Sequence, residues 1–397
     1  MPRTVFLFMF IFSLSGVFAQ TADFPAGTKA APTNIVGSDY PRVDADGRVY
    51  FRVNLPGAES VVATLGNTVL TKGEDGFWTG VTAPMIPGFH CYSLKVNGVE
   101  MADPLSETFW DAGHIFSCID IPEKGIDFYD VKEVPHGEVR SVWYVAKSTG
   151  ETRHAYIYTP PGYDKNSNIR YPVLYLLHGM NQDRRAWSQQ GRANFILDNL
   201  IAAGKAKPMI IVMEDGGIAG AKVVAMRRPA PGQPGQSGNR GPAQAAGGAP
   251  NFWDAFCVTL VKDVIPMVDA NYRTLSDREN RAIAGLSLGG AQTYQITQAN
   301  LDKFASIGVF SAAPFGYSGI ASAYNGLLTK PDEFAKLVKV FFISQGSVEG
   351  DGAGRSIHKD LEKAGVKHTY YESPGTAHVF QTWRKSLYEY APLLFQE

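Results

Sequence analysis

The run Arg281-Ala282-Ile283-Ala284-Gly285-Leu286-Ser287-Leu288-Gly289-Gly290 constrains the fold more than any other stretch of the chain. An apolar segment of strand length enters Gly-x-Ser-x-Gly, and a helix-compatible segment, Ala291 to Ala299, leaves it. Serine between two such glycines suits a sharp strand-to-helix turn that holds its hydroxyl above the edge of a sheet. Ser287 is therefore a candidate nucleophile. The pentapeptide alone is a weak signal, so the remaining machinery has to be located independently.

The organisation around it changes once along the chain. From about Asn34 to Pro122, short alternating segments such as Val49 to Leu55 are separated by Pro56-Gly57, Gly66-Asn67, Pro87-Gly88 and Asn97-Gly98. That pattern predicts an all-β, immunoglobulin-like sandwich over residues 30–124. Beyond Lys124-Gly125, apolar runs alternate with helical stretches, which predicts an α/β-hydrolase domain over residues 125–397. Its strands are expected at Val142 to Val145, His154 to Thr159, Val173 to Leu177, Met209 to Met213, Ala282 to Gly285, Ser306 to Phe310, Val338 to Ser344 and Thr369 to Glu372. Helices are expected at Ala193 to Ala203, Phe252 to Tyr272, Gly289 to Ala299, Ser356 to Ala364 and Gln381 to Leu394. Residues 227–250 are rich in Gly, Pro, Ala and Gln without periodicity and read as a flexible surface insertion.

Met1-Pro2-Arg3, the apolar run Val5 to Phe12 and Val17-Phe18-Ala19 read as a signal peptide over residues 1–19, implying a secreted or periplasmic protein. The apolar run is too short to span a bilayer. With a formal net charge of −1 and no Lys/Arg-rich block, a nucleic-acid surface is not indicated. The three cysteines are too few for a disulfide scaffold in a chain this long. Cys91 and Cys118 either pair or stay as separate thiols, and Cys257 reads as a helix core residue. No His/Cys/carboxylate cluster has metal-site spacing and no Gly-rich loop has a nucleotide-binding pattern, so no metal and no cofactor are expected.

A serine hydroxyl needs an imidazole to take its proton and a carboxylate to orient that imidazole. In this fold they follow the serine in the order acid, then histidine. The strand ending at Ser344 runs into Gln345-Gly346-Ser347-Val348-Glu349-Gly350-Asp351, where the acid belongs. Glu349 is favoured as the nearer to the strand, with Asp351 as the alternative. His378, in the loop after the last strand, is alone among eight histidines in having the position of the base. Two backbone N–H groups must face the developing oxyanion. Leu288, after the nucleophile, supplies one by position, and Met180, in the loop His178-Gly179-Met180-Asn181-Gln182, is assigned the other. His178 reads as a residue that ties down this loop. Trp187, Trp253, Phe315 and Trp383 adjoin the carboxyl edge of the sheet and are candidates for an aromatic substrate wall, a role each shares with ordinary packing.

With those residues in hand, the catalytic half resembles the family 1 carbohydrate esterases, the feruloyl-esterase or esterase D-like group, from about His136 to Phe395. The resemblance rests on Tyr158-Thr159-Pro160-Pro161-Gly162-Tyr163, Tyr171 to Gly179, Asp263-Val264-Ile265-Pro266, Asn271-Tyr272-Arg273, Gly285 to Gly290, His378 and Trp383-Arg384. It implies hydrolysis of ferulate or related hydroxycinnamate esters on plant cell-wall arabinoxylan through Ser287, His378 and Glu349. Acetyl xylan esterases, siderophore esterases and acyltransferases share the fold, so the acyl group stays open. A non-catalytic polysaccharide-binding protein would be expected to have lost part of the triad. Many relatives carry Asp where this chain has Glu349. The N-terminal sandwich is similar to family 48 carbohydrate-binding modules, with Trp78 and Trp110 as either sugar contacts or core residues.

Overall fold

The computed structural model of the protein describes residues 24–111, 113–217, 252–315 and 317–396. Residues 1–19, read above as a signal peptide, and residues 227–250, read as an insertion, lie outside the described residues.

The larger sheet has eight strands: β1 (Glu138–Ala146), β2 (Glu151–Thr159), β3 (Val173–Leu177), β4 (Ile210–Glu214), β5 (Arg281–Leu286), β6 (Ser306–Phe310), β7 (Val340–Gly346) and β8 (Thr369–Ser373). Their spatial order is β1-β2-β4-β3-β5-β6-β7-β8. The pairs β1–β2 and β2–β4 are antiparallel and all others are parallel. This is an α/β-hydrolase sheet. Because β3, β5, β6, β7 and β8 run the same way, the loops at their carboxyl ends gather along one edge, where open α/β sheets place their ligands.

Helices cover both faces, so the central strands are apolar throughout rather than alternating. Leu174 and Leu176 of β3 pack on one side with Trp187, Leu197, Phe342, Leu387 and Tyr390. Val173, Tyr175 and Leu177 pack on the other with Phe256, Val264, Ile283 and Ile296. The period of two along β3 thus divides one strand between two cores. The edge strand β1 extends well beyond the expected Val142 to Val145. It leaves Trp143 and Val145 exposed, and a solvent-facing strand carries little of the continuous apolar signal from which strands are read.

The helix expected over Phe252 to Tyr272 is interrupted. It consists of α1 (Phe252–Thr259), a π turn (Leu260–Val264) and α2 (Ile265–Asn271). Pro266 lies in the first turn of α2, and Ile265 donates its N–H to the Leu260 carbonyl, five residues back. A proline cannot donate to the preceding turn, and its ring crowds the carbonyl four residues back, so the chain widens there instead. Pro392 similarly ends the last long helix. Its α-helical part is Phe380–Tyr390, and a 3-10 turn, Ala391–Leu393, replaces the expected continuation to Leu394.

The N-terminal region is antiparallel. A larger sheet contains Val49–Asn54, Phe77–Val81, Thr68–Lys72, Val61–Ala63 and Leu94–Val96 among its strands, and a second consists of Thr108–Asp111, His114–Ile121 and Gly88–Tyr92. Val49, Phe51, Val53, Val61 and Leu70 of the first meet Tyr92, Ile119 and Ile121 of the second in one core. Trp78 belongs to that core and donates its indole N–H to the Leu55 carbonyl. Cys91 and Cys118, directly opposite each other in the second sheet, form a disulfide. Among the described residues, no helix is long and apolar enough to cross a membrane, and no group of three or more His, Cys, Asp or Glu has the geometry of a metal site.

The strand-to-helix turn depends on its glycines. A Cβ on Gly285 would lie 2.3 Å from the Gly289 carbonyl, and one on Gly289 would lie 2.5 Å from the His178 oxygen and 2.6 Å from that of Leu177. All of these obstacles are backbone atoms, so the clash has no cheap relief. Gly285→Ala is expected to destabilise the protein by about 3 kcal/mol, the upper part of the usual range for overpacking, as measured by denaturant unfolding.

Candidate active site

Ser287 sits between β5 and the helix Leu288–Ala299 with φ 50° and ψ −115°. Few residues with a Cβ adopt a positive φ, and those that do cluster where surrounding structure enforces it. Here the Ser287 N–H donates to the Phe310 carbonyl at 2.8 Å, and its carbonyl accepts from Ala291 at 3.1 Å. The turn is held from both sides and its side chain is left only half-buried.

His378 comes from the loop after β8. Its Nε2 lies 2.9 Å from Ser287 Oγ, and its Nδ1 lies 2.9 Å from Glu349 Oε2. Glu349 belongs to a short 3-10 turn, Ser347–Glu349, that follows β7 directly. Two bonds fasten this turn to the histidine loop: Val348 N–H to the Thr376 carbonyl at 3.0 Å, and Gly375 N–H to Ser347 Oγ at 2.8 Å. The other oxygen of Glu349 accepts from Gly346 N–H and from Ser311 Oγ, each at 2.7 Å. Burial pushes the Glu349 carboxyl up, but the hydrogen bonds from His378, Gly346 and Ser311 outweigh it and hold the group below the usual glutamate range. Of the two carboxylates offered by the sequence, Glu349 meets the imidazole. Asp351 is 83% exposed and lies 3.6 Å from both Arg355 and Lys359.

The remaining predicted residues divide. Leu288 is the first residue of its helix, where a backbone N–H has no intrahelical acceptor. Gly179, Met180, Leu286, Ser287 and His378 line one cavity of about 340 Å³. His178 secures the loop before Met180, with Nδ1 2.8 Å from the Gly179 carbonyl and Nε2 2.7 Å from that of Asp215. Trp383 also lines the cavity, with its ring edge-on to His378 at 5.1 Å. Trp187 does not: it is 1% exposed, its indole N–H is bonded to the Leu177 carbonyl at 2.8 Å, and it packs against Phe310. Its place is the core beneath the site, on the buried part of the short helix Ala186–Gln189. Phe315 is exposed and stands off the cavity lining. Trp253 belongs to α1, and its side chain lies outside the described residues.

Several contributors escape sequence reasoning. Ser311, just past β6, has φ 54°, accepts the Trp383 indole N–H at 3.1 Å and donates to Glu349. It therefore links Trp383 to Glu349. The only sequence signal is its position at the carboxyl end of the strand beside β5, which is too common to single out a serine. Phe89 and the Cys91 end of the disulfide reach the cavity from the N-terminal sheet, and nothing in their local pattern marks them.

The sheet order and a serine–imidazole–carboxylate relay on its carboxyl edge define an α/β-hydrolase. A family model described as "Putative esterase" matches residues 146–394, and the chain belongs to that family. An endo-1,4-beta-xylanase/feruloyl esterase from Xylanibacter ruminicola is 37% identical over 378 residues, covering 92% of this chain and 47% of that protein. The chain thus spans about half the length of this relative. The structure of a CE1 ferulic acid esterase from Anaeromyces mucronatus in complex with ferulic acid is 26% identical, covers 68% of this chain and 96% of its own, and superposes with a TM-score of 0.51. The enterobactin esterase of Shigella flexneri, 15% identical with a TM-score of 0.58 over 87% of this chain and 92% of its own, shares the fold.

Two substitutions test the acid. Glu349→Gln is expected to lower kcat on an activated ester on the order of 10³- to 10⁴-fold, as loss of the orienting carboxylate does in such triads, whereas Asp351→Asn stays within about twofold. The lowered pKa has a second consequence. The stability that ionised Glu349 contributes is complete above its ordinary value of 4.5 and is lost as pH falls through the depressed native value. Melting curves of wild type and Glu349→Gln are expected to converge below about pH 4.5; a constant gap from pH 6 to 3 would contradict this.

Proposed function

We propose that the protein is a serine feruloyl esterase, exported by the leader at 1–19, that releases ferulate or related hydroxycinnamates from arabinoxylan. In this reading residues 125–397 form the catalytic domain, and residues 30–124 form a sandwich that borders its pocket. The observation that carries the reading is the relay from Glu349 through His378 to Ser287, at 2.9 Å for each step, opening into a cavity walled by Phe89, Phe380 and Trp383. Its volume of about 340 Å³ lies in the lower part of the range of small-molecule sites. Apolar aromatic walls suit a planar phenolic acyl group. The feruloyl-esterase names of the Xylanibacter and Anaeromyces relatives support the same substrate class.

The chemistry follows from the positions. Ser287 Oγ attacks the ester carbonyl carbon while His378 Nε2 takes its proton, and Glu349 stabilises the imidazolium through Nδ1. The carbonyl oxygen becomes an oxyanion facing the N–H groups of Met180 and Leu288. Loss of one such donor typically costs about 10²- to 10³-fold in kcat. Collapse breaks the bond to the sugar oxygen, which leaves with the proton from His378, and Ser287 holds the feruloyl group. Water then gives a proton to His378 and attacks the acyl carbon; the bond to Ser287 Oγ breaks, His378 returns the proton to Oγ, and ferulic acid leaves.

Rates on methyl ferulate and on acetylated xylan test this reading, with Ser287→Ala as the blank. Ferulate release is expected to dominate and to fall at least about 10³-fold in the variant. Acetate release alone would move the protein to the acetyl xylan class. Activity retained by Ser287→Ala would remove the proposed nucleophile.

A further inference from the structure

We infer that Asp111, in the N-terminal sandwich, is a positioning residue for the proposed oxyanion hole: it holds Gln182, and through Gln182 the loop that presents the Met180 N–H. The inference rests on the esterase reading above. Asp111 is the last residue of the strand Thr108–Asp111. Its Oδ1 accepts from Gln182 Nε2 at 3.1 Å, and Gln182 Oε1 accepts the Gly179 N–H at 2.9 Å. A second contact crosses beside it, from Gly113 N–H to the Asn181 carbonyl at 3.2 Å. The hairpin tip therefore grips the loop on both sides of Met180. Asp111 and Gln182 themselves line the cavity that holds Ser287 and His378.

The arm that carries this tip is anchored. Its second strand, His114–Ile121, contains Cys118, bridged to Cys91, and Asp120, which accepts from buried Arg384 through both oxygens at 3.0 and 2.9 Å. Arg384 lies on the helix that follows His378. One end of the strand is thus fixed to the helix behind the base and the other to the loop of the oxyanion donor. An amide side chain in the middle of such a chain has its orientation set by its partners: Asp111 takes the NH₂ end, which leaves the oxygen for Gly179. Without Asp111, Gln182 loses the group that fixes this orientation and the loop loses part of its preorganisation. Preorganisation of an oxyanion donor affects the transition state more than the bound ester.

The test uses the full chain and methyl ferulate. Asp111→Ala is expected to lower kcat about tenfold with KM within twofold of wild type, and Asp111→Asn, which keeps the Oδ1 acceptor, to recover kcat to within about twofold. Gln182→Ala is expected to lower kcat at least as much, and adding Asp111→Ala in that background to change it by less than twofold. Wild-type kcat in Gln182→Ala, or equal effects of Asp111→Ala in both backgrounds, would overturn the inference even if Asp111→Ala alone failed to fold. A rise in KM at unchanged kcat would make Asp111 a substrate contact and overturn it also. These failures leave the esterase reading intact, since they occur in a protein whose wild type hydrolyses the ester. A wild type with no Ser287-dependent hydrolysis removes that reading, and this inference with it.

Discussion

The turn at Ser287 is the constraint on which the rest of the site depends. A side-chain-bearing residue at φ 50° is held between hydrogen bonds to Phe310 and Ala291, where β5 and the following helix approach more closely than any Cβ at Gly285 or Gly289 would allow. The same approach places the start of the helix against the carbonyls of Leu177 and His178, at the end of β3. One tight contact therefore sets the seryl hydroxyl, the first helical N–H and the loop of Met180 in a common frame. Strain of this kind costs on the order of 1–3 kcal/mol, which the buried packing of the central strands offsets.

The imidazole and its carboxylate are placed by other means. Glu349 follows β7 and His378 follows β8, and hydrogen bonds between their loops fix the separation. Ser311 adds a third strand end to the assembly by bonding Glu349 and Trp383 together. The N-terminal sheet then braces the helix behind His378. Arg384 is 1% exposed and bonds to Asp120 and to the Gln190 carbonyl, while Lys385 and Gln381 both reach Glu123. A buried ion pair of this quality is costly to break from either side, so the two parts of the chain share a site that neither lines alone.

Much of this was legible in the sequence for physical reasons. Fully buried parallel strands are continuous apolar runs, and β3, β5 and β6 could be read almost to the residue. The order serine, carboxylate, histidine follows from the order of the strands, and it singled out Ser287, Glu349 and His378, which meet in space. The rest was hidden because it depends on partners distant in sequence. Trp187 and Trp383 both adjoin the carboxyl edge of the sheet in sequence, yet one indole donates to a core carbonyl and the other faces the imidazole. Phe89, Cys91 and Asp111 reach the cavity across more than 170 residues of chain from Ser287. No local pattern carries that information. The edge strand β1 was underestimated for the opposite reason, since solvent-facing alternation weakens the apolar signal.

That Ser287 is the nucleophile of an ester hydrolase is tested most directly by covalent labelling. Treating the protein with an alkyl fluorophosphonate and mapping the modified peptide should place one phosphonyl group on Ser287, with methyl ferulate hydrolysis lost in proportion to labelling. Labelling of a different residue, or full activity in protein whose Ser287 is completely modified, would contradict it.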